Sequence, residues 1–184
     1  MLNDEKRKHL ADHFAQTFDL IESESDRGAA IVGSALLEAA LDHVLAKHLL
    51  PAAERSDEIF ERSYTFSMKI DLAYRIGVIR PHIRKVLHLV RTIRNDFAHS
   101  PVDMRFARQS VRNRVQHLCT LSGDLLVPLI DTLRERQLQI EGGVTGETVV
   151  KALGPRLAFS AVVAFHCAGL DYTLSEVAPI EPLD

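Results

Sequence analysis

The stretch RPHIRKVLHLVRTIRNDFAHSP, residues 80–101, decides how the rest of the chain is read. Ile83, Val86, Leu87, Val90, Ile93 and Phe97 recur at three- and four-residue spacing. With 3.6 residues per turn they fall on one face of a helix. Pro81 suits the first turn, where a missing N–H breaks no helical bond. Ser100-Pro101 ends the run, because a residue before proline is pushed out of the helical region. A helix this one-sided needs other helices to cover it.

The flanking sequence supplies them. Phe66, Ile70, Ala73 and Ile76 share a helical face in FSMKIDLAYRIGVI, residues 66–79, and Gly77 suits its C-terminus. Asn3 or Asp4 can cap a first helix to about Glu24, with Leu10, Phe14, Phe18 and Ile21 at helical spacing. Ser25 is an N-cap for a second helix to about Leu50, with Asp26 near its positive end. Small residues from Gly28 to Ala40 let another helix approach it closely. Residues 51–65 read as a connection with one short helix around Asp57 to Arg62. Two further helices are expected over 103–122 and 124–139, with Pro128 kinking the second or shifting its start. After EGGVTG, Thr145 can begin a short helix to Leu153 that Gly154-Pro155 stops. LAFSAVVAFHCAGL, residues 157–170, is apolar all round, so it is buried on several sides, and strand stays open for it. The reading is an all-α, single-domain helical bundle. Residues 1–142 form the helical domain, and 143–184 form a C-terminal apolar extension packed on it or on a second subunit. Phe14, Leu37, Leu41, Ile70, Val86, Val90, Ile93 and Phe97 should meet in one core.

Composition narrows the class. The 184 residues are 46% hydrophobic and 26% charged, ordinary for a globular domain. The net charge of -3 gives no overall basic footprint for duplex DNA. Cys119 and Cys167 stand apart as two buried thiols, with no zinc spacing and no phosphate-binding glycine loop. We therefore expect no metal and no cofactor. MLNDEKRKHL lacks a signal-peptide core, and no apolar run reaches the ~18 residues of a membrane span. A cytoplasmic protein without membrane contact is expected.

The densest polar signal is IRNDFAHS, residues 93–100. Asn95 and His99 are four apart and share a face, with Arg91 one turn before Asn95. Arg94 lies five residues from His99, roughly 140° round an ideal helix, so the two converge only if the last turn unwinds or a second chain contributes. An arginine can hold a phosphate and a histidine can move a proton at neutral pH. Together they could cleave RNA without metal, His99 transferring the proton and Arg94 steadying the anionic transition state. The plainer reading is that both oppose the dipole at a helix C-terminus, with Asn95 and Asp96 satisfying nearby backbone. A second polar set, Arg27, Ser34, Glu38 and Asp42, lies close to one face of the second helix. Glu38 and Asp42 are like charges four apart and want a cation, for which Lys69 or Arg94 are candidates. This set is either a solvated face or a buried ionic network.

ESDRGAAIVGSALLEAALDHVL (24–45), FSMKIDLAYRIGVI (66–79) and LHLVRTIRNDFAHS (87–100) resemble, in this order and spacing, the mannitol operon repressor family. The likeness covers roughly residues 10–135 and leaves the tail after Gly142 outside it. It implies an all-helical fold and repression of a sugar-alcohol operon without an obvious DNA-reading helix-turn-helix. Repression would then run through a protein partner. Arg94, Asn95 and His99 also resemble the signature of the HEPN superfamily of helical proteins. That implies either a metal-independent endoribonuclease, a toxin or defence effector with a site formed across a dimer, or a non-catalytic binder. We expect a homodimeric regulatory protein of the repressor type. The alternative is an RNase using Arg94 and His99, supported by Arg91, Asn95 and Asp96, with RNA as partner.

Overall fold

The computed structural model describes residues 4–51, 64–100, 103–135 and 143–182. Among them are seven α-helices and no strand: α1 (Asp4–Glu22), α2 (Asp26–His48), α3 (Phe66–Arg75), α4 (Pro81–His99), α5 (Gln109–Leu121), α6 (Gly123–Glu135) and α7 (Gly146–Glu176). The short helix expected around Asp57 lies outside the described residues.

Local chemistry accounts for most boundaries. The Ser25 hydroxyl accepts from the N–H of Gly28 at 3.0 Å and starts α2. Thr65 caps α3, Pro81 opens α4, and Thr145 with Thr148 forms a reciprocal capping box on α7. α5 starts six residues later than expected. The Asp26 carboxylate accepts the Phe106 N–H at 2.9 Å, which holds residues 103–108 against the start of α2.

The stretch left open between helix and strand is helix, and it runs through the middle of the bundle. α7 packs against α1, α2 and α5. Ala158 to Ala164 are all buried, as are His166 to Ala168 and Leu170. Gly154 breaks the helix that begins at Gly146, as expected. At φ 77°, ψ 158° it makes a kink from which helix resumes, a conformation that favours glycine. Gly146 lets α7 touch α5, since a Cβ there would overlap the Gln116 carbonyl oxygen.

Seven of the eight expected core residues are fully buried: Leu37, Leu41, Ile70, Val86, Val90, Ile93 and Phe97. Phe14 is half-buried at the rim, its ring 4.3 Å from that of Phe165. α1 is bound mainly along α7, so only its last turns reach the centre. Inside, Phe106 links Phe97 and Phe159 at centroid distances of 4.8 and 4.9 Å. Cys119 and Cys167 are buried free thiols, and burial pushes each up to about 12. α2 and α7 are long and apolar enough to cross a membrane by length and composition, more than the apolar runs suggested. About half of each apolar window is buried inside the bundle, as in a core helix.

Arg156, just past the kink, closes the end of α1. Its guanidinium donates to the carbonyls of Ile21 (2.8 Å), Glu24 (3.0 Å) and Ser25 (3.0 Å) and to Glu22 Oε1 (3.1 Å). Ile21 O also accepts from the Glu24 N–H at 3.2 Å and Ser25 O from the Ala29 N–H at 2.7 Å, so Arg156 adds a second donor to these two carbonyls and sets a cation at the negative end of the α1 dipole.

Candidate functional site

α4 carries the RNDFAH segment along the edge of the bundle. Val90, Ile93 and Phe97 anchor it inward and thereby fix which residues face outward. Arg91, Arg94 and Asn95 project toward α2 and the start of α3. There, with Ser34, Glu38, Thr65, Phe66 and Ser67, they line a cleft of about 340 Å³. His99 is exposed at the end of α4 and does not line it. The sequence reading put Asn95 and His99 on one side with an arginine near both. The structure brings Arg91, Arg94 and Asn95 together and leaves His99 a turn beyond.

Arg94 Nη1 donates to Asn95 Oδ1 at 3.1 Å. The Nε of Arg91 is shut off from solvent with no hydrogen-bond partner among the described residues. Neither guanidinium has a carboxylate partner there, so both keep donors for an anion. Asp96 turns the other way, its Oδ2 2.7 Å from Arg114 on α5. It braces α4 against α5 and takes no part in the cleft.

Behind the cleft lies an ionic group. Lys69 is 5% exposed, and its ammonium donates to Glu38 Oε1 at 2.9 Å and Asp42 Oδ2 at 2.7 Å. Burial pulls its pKa down, but the hydrogen bonds to Asp42 and Glu38 outweigh that and raise it. Burial raises the Asp42 carboxyl, against the pull of Lys69. Lys69 thus answers the like-charge pair on α2. Arg27 is not in this group. Eleven residues separate it from Glu38, about 16 Å of helix. Its Nη2 reaches the carbonyl of Ser100 at 3.0 Å and ties the start of α2 to the end of α4.

Two features escaped the sequence reading. Ser122 and His166, both 3% exposed, are hydrogen-bonded at 2.9 Å where α5 meets α6, and burial lowers His166 to about 4. The apolar tail around His166 hid it. The second is charge segregation. Residues 80–117 hold nine Arg and Lys against two Asp, a net +7, so with -3 overall the remainder carries -10. α4 and α5 pack together, so this charge is carried by one pair of neighbouring helices and their connection, with Arg84, Arg105 and Arg114 paired to Asp71, Asp103 and Asp96. A running sum of charge would have shown it where the total did not. Among the described residues no three His, Cys, Asp or Glu side chains group as a metal site.

The sequence matches no protein-family model and no curated protein. The bundle is similar to a chain in the X-ray structure of the MtlR–HPr complex from Escherichia coli. The TM-score is 0.54 at 12% identity, over 89% of this chain and 99% of that one. At that identity the likeness shows a shared fold alone.

Proposed function

We propose that this chain is a cytoplasmic regulatory protein that acts by binding a protein partner, as a homodimer, in repression of a sugar-alcohol operon. The observation that carries the reading is the overlay on a chain captured in an MtlR–HPr complex, which spans nearly all of that chain. The three sequence blocks that resemble the mannitol operon repressor family form α2, α3 and α4. They surround the cleft, which supports the same reading.

The direct test is isothermal titration of the full-length chain with purified Escherichia coli HPr. Saturable heat at a fixed stoichiometry is expected. Absence of binding, with both proteins folded, contradicts the reading.

The second reading is a metal-independent endoribonuclease. The +7 charge on residues 80–117 favours it, since phosphate contacts dominate affinity for nucleic acid. Against it, the arginine of the motif lines the cleft and the histidine does not. The carboxylate in the cleft wall, Glu38, is held by Lys69 and is poorly placed to move a proton. Proton transfer needs the acid or base within hydrogen-bond reach of the reacting group.

A further inference from the structure

The cleft between α2, α3 and α4 is rich in donors whose partners are missing. Among the described residues Arg91 Nε is buried and unbonded, an arrangement that is unfavourable unless something completes it. Asn95 Oδ1 is taken by Arg94, which leaves its amide N–H groups to donate. Thr65 Oγ1 accepts from Met68 N at 3.4 Å as the cap of α3, so its hydroxyl proton is also free to donate. Phe66 and Ser67, the first residues of α3, bring the positive end of that helix to the same wall.

One wall has the opposite character. Lys69 holds Oε1 of Glu38 and answers its charge. The carboxylate can still accept a hydroxyl, and Ser34, 4% exposed, stands beside it on α2. The lining therefore asks for an anionic group at one end and hydroxyl groups at the other. The volume, about 340 Å³, is at the small end of ligand pockets, which run from about 300 to 1,000 Å³. That is room for a small molecule and not for a run of nucleotides.

We infer that this cleft binds a small organic phosphate carrying hydroxyl groups, with its phosphate between Arg91 and Arg94 and its hydroxyls toward Glu38 and Ser34. Two guanidiniums and a helix N-terminus match the oxygens of a phosphate monoester. The carboxylate and serine select against a bare phosphate. The inference is independent of the protein partner, so loss of HPr binding and loss of phosphate binding are separate results.

The test is isothermal titration of the full chain with glycerol 3-phosphate and glucose 6-phosphate, beside inorganic phosphate, glycerol and a short RNA oligonucleotide. At least one organic phosphate binds saturably, inorganic phosphate binds more weakly, and glycerol is silent. Arg91→Gln and Arg94→Gln each weaken binding by about tenfold or more, the scale of a lost charge-assisted hydrogen bond. Arg112→Gln, on α5 and outside the cleft, leaves it unchanged. Arg94 is exposed, so its variant keeps the test decisive should Arg91→Gln fail to fold. The inference is overturned if neither organic phosphate binds, if binding survives Arg94→Gln, or if only an RNA oligonucleotide binds.

Discussion

Arg94 donates a hydrogen bond to Asn95 at 3.1 Å, and the pair turns into the cleft beside Arg91 while His99 stays outside it. The RNDFAH segment is thus divided within one chain. Its first half joins α2 and α3 in a site suited to anions. Its last residue sits exposed at a helix end, where a histidine favours the dipole.

The ionic group behind the cleft is predicted to matter for stability. Lys69→Met leaves Glu38 and Asp42, with side chains 34% and 29% exposed, facing each other without a cation. Removing one partner of a buried charge group costs roughly 3–5 kcal/mol, and this partial exposure places the loss near the lower end. Urea denaturation should show it, and Asp42→Asn added to Lys69→Met should recover part of it. A loss below about 1 kcal/mol would mean that solvent already screens the pair.

His166 gives the fold an acid-sensitive point. Its folded value, about 4, lies below the ordinary 6.5, so below pH 6.5 the unfolded chain binds a proton that the folded one refuses. Its contribution is complete above pH 6.5 and is lost as the pH falls toward 4. A shift of this size corresponds to roughly 3 kcal/mol. Comparing wild type with His166→Gln across that window separates the effect from the carboxylates. Parallel stability curves would contradict it.

Arg156 is predicted to hold the end of α1. Arg156→Met takes the guanidinium donor from the Glu24 carbonyl and leaves those of Ile21 and Ser25 with a backbone donor alone. Hydrogen bonds to charged groups contribute about 1.5–3 kcal/mol, so a loss near 2 kcal/mol is expected. Amide exchange should quicken in the last turn of α1. Unchanged exchange there would show that packing alone secures it.

Much of this fold was legible because helix periodicity is local. α4 was read to its ends from the spacing of Val86, Val90, Ile93 and Phe97 with two prolines. Ser25 and Thr145 announced helix starts by the same local chemistry. What the sequence hid was long-range. Nothing near Arg156 points to carbonyls more than 130 residues away. Phe14 has core spacing but lies on a helix that reaches the centre only at its end. Phe106 loses helical structure to a carboxylate on α2. At the site, the like-charge spacing of Glu38 and Asp42 demands a cation, and the sequence offers Lys69 and Arg94 for it. The contributions of Ser34, Thr65 and Ser67 to the cleft depend on how three helices meet, which no spacing records.

We propose that this chain binds and does not cleave. The measurement that tests it most directly is incubation of the purified full-length protein with mixed-sequence RNA in EDTA, beside Arg94→Ala and His99→Ala. Intact RNA is expected in all three, with both variants folded. EDTA-resistant cleavage by the wild type, lost by about 10²–10⁴-fold in His99→Ala and also lost in Arg94→Ala, would contradict it. That result would show that the two halves of RNDFAH work together after all.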